Sequence, residues 1–161
     1  MKKTTSGFTL IELVVVISII AILAATALPR YISLQSQART AKAQALFGSI
    51  RSASALARAT CSVDIATGAS ITCTSTAGTT NMDGTAIDMV NQYPAATPTG
   101  IILAAQLNAA DDSVTITGTG PIVITINGAT DPANCNISYT AATRNATGIV
   151  SPVIVPTTTG C

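Results

Sequence analysis

Apolar residues are concentrated in one long run near the amino terminus of the chain. Residues 8–28 are apolar except for Glu12 and three hydroxyl side chains. As an α-helix this run would extend about 31 Å, since a helix rises about 1.5 Å per residue. That length matches a hydrocarbon layer about 30 Å thick, so the pattern predicts a membrane-crossing helix. Lys2 and Lys3 precede the run and favour a cytoplasmic start.

A helical periodicity replaces the continuous run between residues 30 and 60. Apolar residues recur there at steps of three and four, and they are Ala43, Leu46, Ile50, Ala53 and Ala57. Such a stripe occupies one face of a helix and predicts packing against a sheet. Pro29 separates the stripe from the apolar run. We expect a kink or local melting there, because proline removes a backbone donor and clashes with the preceding turn.

Beyond residue 61 the pattern is typical of short strands and turns. Val114–Thr117 and Ile122–Ile126 flank a Gly- and Pro-containing turn, which predicts an antiparallel hairpin. The other expected elements are two short β-prone pieces around residues 66–68, a short helix at 101–107, a strand at 136–140 and a β-prone end at 148–155. Pro152 should confine that last strand to a sheet edge or a bulge. The expected class is therefore α+β, with about four antiparallel strands.

The composition argues against several classes of function. The chain has 161 residues, no histidine and only 3% aromatic residues. Histidine is the commonest general base and metal ligand, so we expect neither an enzyme, nor a cofactor, nor a metal site. Few aromatic residues argue against a groove that stacks sugars or bases.

The four cysteines all lie beyond the apolar run, at Cys61, Cys73, Cys135 and Cys161. None shows the Cys-x-x-Cys spacing of zinc or redox sites, so disulfides in an oxidising compartment are the better interpretation. Three connectivities are open. We predict Cys61 with Cys73 and Cys135 with Cys161, because these pairs close the shortest loops.

Charged residues are divided unevenly between the helical segment and the rest. Five basic residues and no acidic residue lie between Glu12 and Asp64: Arg30, Arg39, Lys42, Arg51 and Arg58. From Asp64 onward six aspartates accompany one arginine, and they are Asp64, Asp83, Asp88, Asp111, Asp112 and Asp131 beside Arg144. These charges either lie on solvated faces, or the basic helix of one copy contacts the acidic region of a neighbouring copy that begins at Asp64. Specific nucleic-acid binding is not expected, because an acidic head repels phosphates.

Glu12 separates three interpretations of the apolar run. A secretory signal peptide is one, since Ala25, Thr26 and Ala27 form a small-x-small cleavage pattern. A plain membrane anchor is another. Neither explains a carboxylate inside the run, because an acidic residue at the centre of a membrane helix costs roughly 2.5 to 3.5 kcal/mol. A carboxylate placed there requires a positive partner.

The segment from Gly7 to Glu12, GFTLIE, together with the apolar run ending in Ala-Leu-Pro, resembles the prepilin signature of type IV pilins and pseudopilins. The resemblance implies that prepilin peptidase removes leader residues 1–7 by cutting after Gly7, and that it methylates the new amine of Phe8. It further implies that Glu12 of one subunit pairs with the Phe8 amine of a neighbour. It also implies that, in the filament, the helix loses its regular structure upstream of Pro29.

The resemblance divides the chain into four parts. Residues 8–29 would be the transmembrane and polymerisation helix, 30–60 the amphipathic half of the same helix, and 61–161 a β-rich head. The type IV pilin fold implied is a long amino-terminal α-helix, with its hydrophobic half protruding, packed on an antiparallel β-sheet and closed by a carboxy-terminal disulfide-bonded loop. Many family members carry glycine where this chain has Ala21, which leaves the extent of melting open.

The implied function is that of the major pilin of a type IV pilus, stored in the inner membrane and assembled into extracellular filaments for surface adhesion and twitching motility. Its partners would be further copies of itself, prepilin peptidase, the inner-membrane assembly machinery and a host or abiotic surface. The first alternative is the major pseudopilin of a type II secretion system. The second, less favoured, is a secreted soluble binding domain that begins near Leu28.

Shorter segments resemble major pilins of the mannose-sensitive haemagglutinin (MSHA) type. These segments are Leu13 to Ile17, Pro29 to Ile32, Leu34-Gln35, Val90 to Pro94, Cys135, and Tyr139 to Thr143. The resemblance implies surface attachment but transfers no residue that contacts a sugar.

Overall fold

The computed structural model describes residues 8–68 and 72–161. Gly7 and the rest of the expected leader lie outside the described residues. The chain divides into two compact units, Met1–Gln37 and Ala38–Cys161. One long helix, α1 (Leu10–Thr67), contributes residues to both.

In the first unit α1 is apolar and none of its described residues is buried. All residues from 8 to 34 are exposed, and the helix is long and apolar enough to cross a membrane. Two hydroxyl groups of its apolar run are satisfied within the helix: Ser18 donates to the Val14 carbonyl at 2.7 Å and Thr26 to the Leu23 carbonyl at 2.9 Å. Such internal bonds make hydroxyls compatible with a medium that offers no water.

Pro29 lies inside α1, and the helix continues through it. The local melting expected at this point is therefore absent from the single chain. Because proline has no N–H, the Ala25 carbonyl lacks its usual partner one turn earlier. The helix is weakened by one bond at this position while its hydrogen bonding resumes on both sides.

In the second unit α1 buries the predicted stripe. Its buried residues are Ala43, Leu46, Ile50, Ala53, Ser54, Ala57 and Cys61. All five predicted positions are among them, so the periodicity is confirmed. The stripe consists mostly of small side chains, which let a sheet approach the helix closely.

The helix ends later than expected. Residues 62–67 are helical, so the first of the two β-prone pieces predicted around residues 66–68 is wrong. Gly68 takes a φ of 64°, the left-handed conformation in which glycine commonly ends a helix. Packing favours the longer helix, because Cys61 extends the buried stripe by a further turn.

The strands of the described chain form three antiparallel sheets. The first joins β1 (Ala77–Met82), β2 (Thr85–Val90) and β3 (Tyr93–Pro94) in that order. The second has the order β4-β5-β6-β9, with β4 Val114–Thr117, β5 Ile122–Ile126, β6 Asn136–Thr140 and β9 Val153–Thr157. The third pairs β7 (Thr143–Asn145) with β8 (Gly148–Val150). The estimate of four strands fits the second sheet alone.

Two sequence predictions for the strands are confirmed by the second sheet, and a third is confirmed only in part. The β4–β5 hairpin has the expected bounds, and Val114 lies opposite Ile126. The strand at 136–140 is β6. The β-prone end expected at 148–155 instead forms two strands of different sheets, β8 and β9, and Pro152 lies between them. The edge position is met by β9, which contains Pro156.

Two short helical turns complete the second unit. One spans Pro98–Ile102 and continues to residue 104, so the helix expected at 101–107 is confirmed only in part. The other spans Pro132–Asn134. Proline opens both turns, consistent with its fixed φ at the first helical position.

Two hydrophobic clusters follow one another along α1. Ala43, Leu46 and Ile50 pack with the inner faces of β4, β5 and β6 and include the Cys135 and Cys161 pair. Ala53, Ala57 and Cys61 pack with Cys73 and with Ile87 and Met89 of β2. The expected fold class is confirmed: a long apolar helix packs on antiparallel sheets, with a carboxy-terminal disulfide pair.

Candidate assembly and processing site

The start of α1 is held by a reciprocal cap between Thr9 and Glu12. The Thr9 N–H and the Thr9 hydroxyl both donate to Glu12 Oε2, each at 2.9 Å. The Glu12 N–H donates in return to Thr9 Oγ1 at 3.3 Å. This Thr-x-x-Glu arrangement is a capping box, which satisfies backbone donors that a helix start leaves free.

The cap gives Glu12 a partner inside its own helix. Its carboxylate also lies at the helix amino terminus, where the helix dipole favours negative charge. The carboxylate is therefore tolerable at the edge of an apolar segment before any other partner arrives. Our sequence interpretation missed this role, although the Thr-x-x-Glu spacing ahead of an apolar run was a signal for it.

Phe8 directly precedes the capping threonine and lies before the first residue of α1. Its side chain is 92% exposed. An amine created at Phe8 would thus stand next to the two Thr9 groups that bond Glu12. The structure places Phe8 and Glu12 at the same end of the helix, while Gly7 lies outside the described residues.

The large apolar side chains of the first unit are exposed in the single chain. Their exposed fractions range from 45% at Val14 to 92% at Phe8. Water-soluble monomers rarely expose an apolar patch larger than a few hundred Å². This face of the helix therefore requires lipid or other apolar protein around it.

Two disulfides hold the second unit, one in each hydrophobic cluster. Cys61 is bonded to Cys73, with 5.6 Å between their Cα atoms, and Cys135 to Cys161, with 4.8 Å. All four cysteines are consumed. The pairs are local in sequence, with separations of 12 and 26 residues.

The Cys135–Cys161 loop is also closed by its backbone. The Asp131 N–H donates to the Gly160 carbonyl at 3.0 Å, and the Gly160 N–H donates to the Asn134 carbonyl at 2.9 Å. A side-chain carbon at Gly160 would lie 2.3 Å from the Asp131 carbonyl oxygen, so only glycine allows this approach. The Arg39 guanidinium of α1 donates to the Cys161 carbonyl at 3.2 Å.

Tyr139 of β6 connects the second sheet to the first. Its buried hydroxyl donates to the Pro94 carbonyl of β3 at 2.7 Å. Burial raises the pKa of Tyr139 to about 12. The Ser54 hydroxyl lowers that pKa to a smaller extent, although it has no hydrogen-bond partner among the described residues. Tyr139 is therefore a neutral structural donor at ordinary pH.

Comparisons with known proteins agree with this geometry at the amino terminus. Residues 2–28 match the family model of the prokaryotic N-terminal methylation motif. The chain is also similar to the type IV narrow pilus major component PilA5 of Thermus thermophilus, with 53% identity over 51 residues. The match covers 32% of this chain and 44% of that relative, so the chain spans less than half the length of the curated relative it matches. No solved structure matches the chain.

The architecture is the α+β fold of type IV pilins: an apolar amino-terminal helix, antiparallel sheets packed on it, and a carboxy-terminal disulfide pair. The methylation motif and the PilA5 relative support a structural subunit of a type IV pilus. Neither finding separates a major pilin from a pseudopilin.

Proposed function

We propose that this chain is the major structural subunit of a type IV pilus. The observation that carries the proposal is the helix start: a fully exposed apolar segment begins at Phe8 with a carboxylate, Glu12, in its first turn, inside a methylation motif. An apolar segment of this kind suits both storage in a membrane and packing in the centre of a polymer. Its role is to assemble, not to catalyse.

Processing converts the stored chain into an assembly-competent one. Prepilin peptidase removes residues 1–7 by cutting after Gly7 and methylates the amine of Phe8, and the methylation motif supports both steps. Residues 8–29 then form the transmembrane and polymerisation segment, and residues 30–60 the amphipathic half of the helix, which α1 extends to Thr67. Residues 61–161 form the head domain.

In the filament the Glu12 carboxylate pairs with the Phe8 amine of a neighbouring subunit. Pairing neutralises both groups in an apolar surrounding, whereas a wrong axial register leaves each charge buried alone. Removal of one partner of a buried pair typically costs about 3 to 5 kcal/mol. The pair thereby selects one register. Pro29, which already leaves the Ala25 carbonyl unbonded, follows the stretch of helix that melts as subunits pack.

The subunit waits in the inner membrane and then becomes part of an extracellular filament. Its partners are other copies of the chain, prepilin peptidase, the inner-membrane assembly machinery, and a host or abiotic surface. The MSHA-like segments support a filament of that type, used for surface adhesion and twitching motility. Two disulfide pairs favour a pilin over the major pseudopilin of a type II secretion system.

Mass spectrometry of the mature amino terminus tests the proposal. N-methylated Phe8 in filaments sheared from the cell surface is the expected result. N-methylated Phe8 confined to the cell envelope would favour the pseudopilin, and a mature chain beginning at Leu28 would overturn both assignments. Gly7→Val serves as the control, since it should leave the leader attached and no filament on the cell.

A further inference from the structure

A basic groove lies in the second unit, beside residues 47–62 of α1. Arg51 and Arg58 occupy one face of the helix, seven residues and about two turns apart. Tyr93 and Ser151 are among the residues of the opposite wall, and the volume is about 790 Å³. Small side chains of α1, such as Ala55, line the space between the two arginines. We call this space the Arg51 groove.

The Arg51 groove holds positive charge that no carboxylate of the described chain balances. Arg58 lies over the Tyr93 ring, 4.8 Å from its centre, and donates to the Tyr93 hydroxyl. The Tyr93 hydroxyl also forms a hydrogen bond with the Ser151 hydroxyl, at 3.1 Å between the two oxygens. Arg51 is exposed and makes no hydrogen bond or ion pair with any residue in 8–68 or 72–161.

Arg51 differs in this respect from the other cations of the second unit. Arg39 donates to the Cys161 carbonyl, Lys42 to the Asp112 carbonyl, Arg58 to Tyr93, and Arg144 to the Ser75 carbonyl. The side chain of Arg51 is thus available to a group from outside the chain.

Asp83 is the acidic residue of the described second unit whose carboxylate has no partner. It lies at the tip of the β1–β2 hairpin, in a two-residue turn with Gly84, and both residues have positive φ, 50° and 81°. Such a turn fixes its side chain on a narrow, rigid projection. Asp83 is exposed, and its carboxylate has no partner among the described residues.

The other five aspartates all accept hydrogen bonds within the chain. Asp64 accepts from Thr80, Asp88 from Thr99, Asp111 and Asp112 from Asn108, and Asp131 from Ala133 and Asn134. Within the described second unit, therefore, one cation and one carboxylate lack a partner, and they lie on different elements.

We infer that the Arg51 groove of one subunit binds the β1–β2 tip of a neighbouring copy, with Asp83 between Arg51 and Arg58. A contact between two different patches of the same chain is heterologous, and when its rotation does not close, it generates a helical filament. Opposite charges also select one partner orientation. The inference rests on the proposed function, since it places the two copies in one pilus.

Cysteine cross-linking in assembled filaments tests the contact. The double variant Arg51→Cys, Asp83→Cys should give a ladder of covalent oligomers on non-reducing gels, and reduction should remove it. Ser52→Cys with Asp83→Cys is the matched control, because Ser52 is exposed but turned about 100° around the helix from Arg51. No ladder from the first variant in normally formed filaments, or equal ladders from both, would overturn the inference.

Charge reversal gives a second test that does not depend on cysteine. Arg51→Glu and Asp83→Lys should each lower filament yield by about tenfold, because each places like charges together. The combined variant should restore most of the yield. Wild-type yields in both single variants, or a combined variant whose yield is as low as theirs, would count against the contact.

These tests remain separate from that of the proposed function. If wild-type filaments contain N-methylated Phe8 but the Arg51 and Asp83 variants behave as wild type, only this inference fails. If Arg51→Glu reduces surface attachment of normally formed filaments and no ladder appears, the groove takes an external anionic ligand, and the contact with a second copy is wrong.

Discussion

One helix contains two stretches that meet opposite requirements. Residues 8–34 of the α1 region carry large aliphatic side chains on every side, and all are exposed. Residues 43–61 carry a narrow stripe of small residues, and that stripe is buried against the sheets. Both stretches are regular helix, so secondary structure does not distinguish them.

The difference shows where each stretch finds its stabilising surroundings. The second stretch satisfies its apolar face within its own chain, as an ordinary amphipathic helix does. The first does not, and its hydroxyls and its carboxylate are instead satisfied internally by Val14, Leu23 and Thr9. These internally bonded hydroxyls and the carboxylate can move between lipid and protein without losing their hydrogen bonds, although the Ala25 carbonyl stays unbonded because of Pro29.

The largest expected effect comes from Glu12→Ala in the first stretch. It should abolish filaments while membrane insertion and the folded head remain, because the Phe8 amine of a neighbour would be buried unpaired. A loss of about 3 to 5 kcal/mol corresponds to more than a hundredfold in assembly. Sheared filament yield and the amount of membrane-bound subunit measure the two effects.

Thr9→Val provides the control for Glu12. It removes the hydroxyl bonds of the cap and keeps the carboxylate, so it should weaken the helix start by about 0.5 to 2 kcal/mol and leave filaments present. Normal piliation of Glu12→Ala would show that the carboxylate serves the cap alone.

The same substitution at two sites of α1 tests the comparison directly. Ile50 is fully buried and Ile20 is 57% exposed. Ile50→Ala should lower the free energy of unfolding of the second unit by roughly 2 to 5 kcal/mol, because it leaves a cavity. Ile20→Ala should leave it unchanged. Denaturant titration of the detergent-solubilised full chain, followed by circular dichroism, gives both values, and equal losses would contradict the division.

The two disulfides should differ in their contribution to the second unit. In the entropic model, replacing both Cys135 and Cys161 by serine costs about 3.5 kcal/mol, against about 2.8 kcal/mol for Cys61 and Cys73. The order follows from the loop separations of 26 and 12 residues. Denaturant midpoints of the two double variants measure the difference. A larger loss from the Cys61–Cys73 pair would mean that packing, not loop closure, dominates.

Alkaline pH should destabilise the second unit through Tyr139. Its pKa is raised from 10.0 to about 12 in the folded chain, so folding favours the neutral hydroxyl. The resulting stabilisation is complete below pH 10 and is lost as the pH rises through 12. A shift of that size corresponds to about 2 to 3 kcal/mol.

Tyr139→Phe separates this effect from other alkaline titrations. The variant should lose about 1 to 3 kcal/mol at neutral pH, because the buried Pro94 carbonyl lacks its donor, and its stability should change less between pH 10 and 12. Tyr31→Phe is the control, since Tyr31 is 61% exposed in the first stretch. Parallel pH profiles for wild type and Tyr139→Phe would disprove the assignment.

Periodic patterns made much of the fold predictable. The stripe from Ala43 to Ala57 and the β4–β5 hairpin follow from spacing alone, because burial on one face imposes a period of 3.6 or 2. The end of α1 could not be predicted in this way, because a glycine such as Gly68 occurs both in turns between strands and at the ends of helices. The first sheet was not predicted either, because residues 75–100 are rich in Thr, Ala, Gly and Pro, and the packing of Ile87 and Met89 on the helix decides their structure.

The site was predictable where a motif exists and not where tertiary structure creates it. The roles proposed for Phe8 and Glu12 were predicted from the GFTLIE segment, which begins at Gly7. The uneven distribution of charge was visible, but Arg51 and Asp83 could be singled out only after the bonds of every other charged residue in the described second unit were known. Sequence shows which charges are present, and the fold shows which are already bonded.

The capping box has a consequence for how a pilus could be taken apart. If Glu12 begins bonded to Thr9 and ends bonded to a neighbour, then growth exchanges one set of partners for another. The net driving force is then the difference between the two sets, which is smaller than the full strength of the new pair. A subunit that returned to the membrane could restore its own Thr9–Glu12 hydrogen bonds, while the Phe8 amine would lose its carboxylate partner. Storage and assembly would then differ in which partner the Glu12 carboxylate holds.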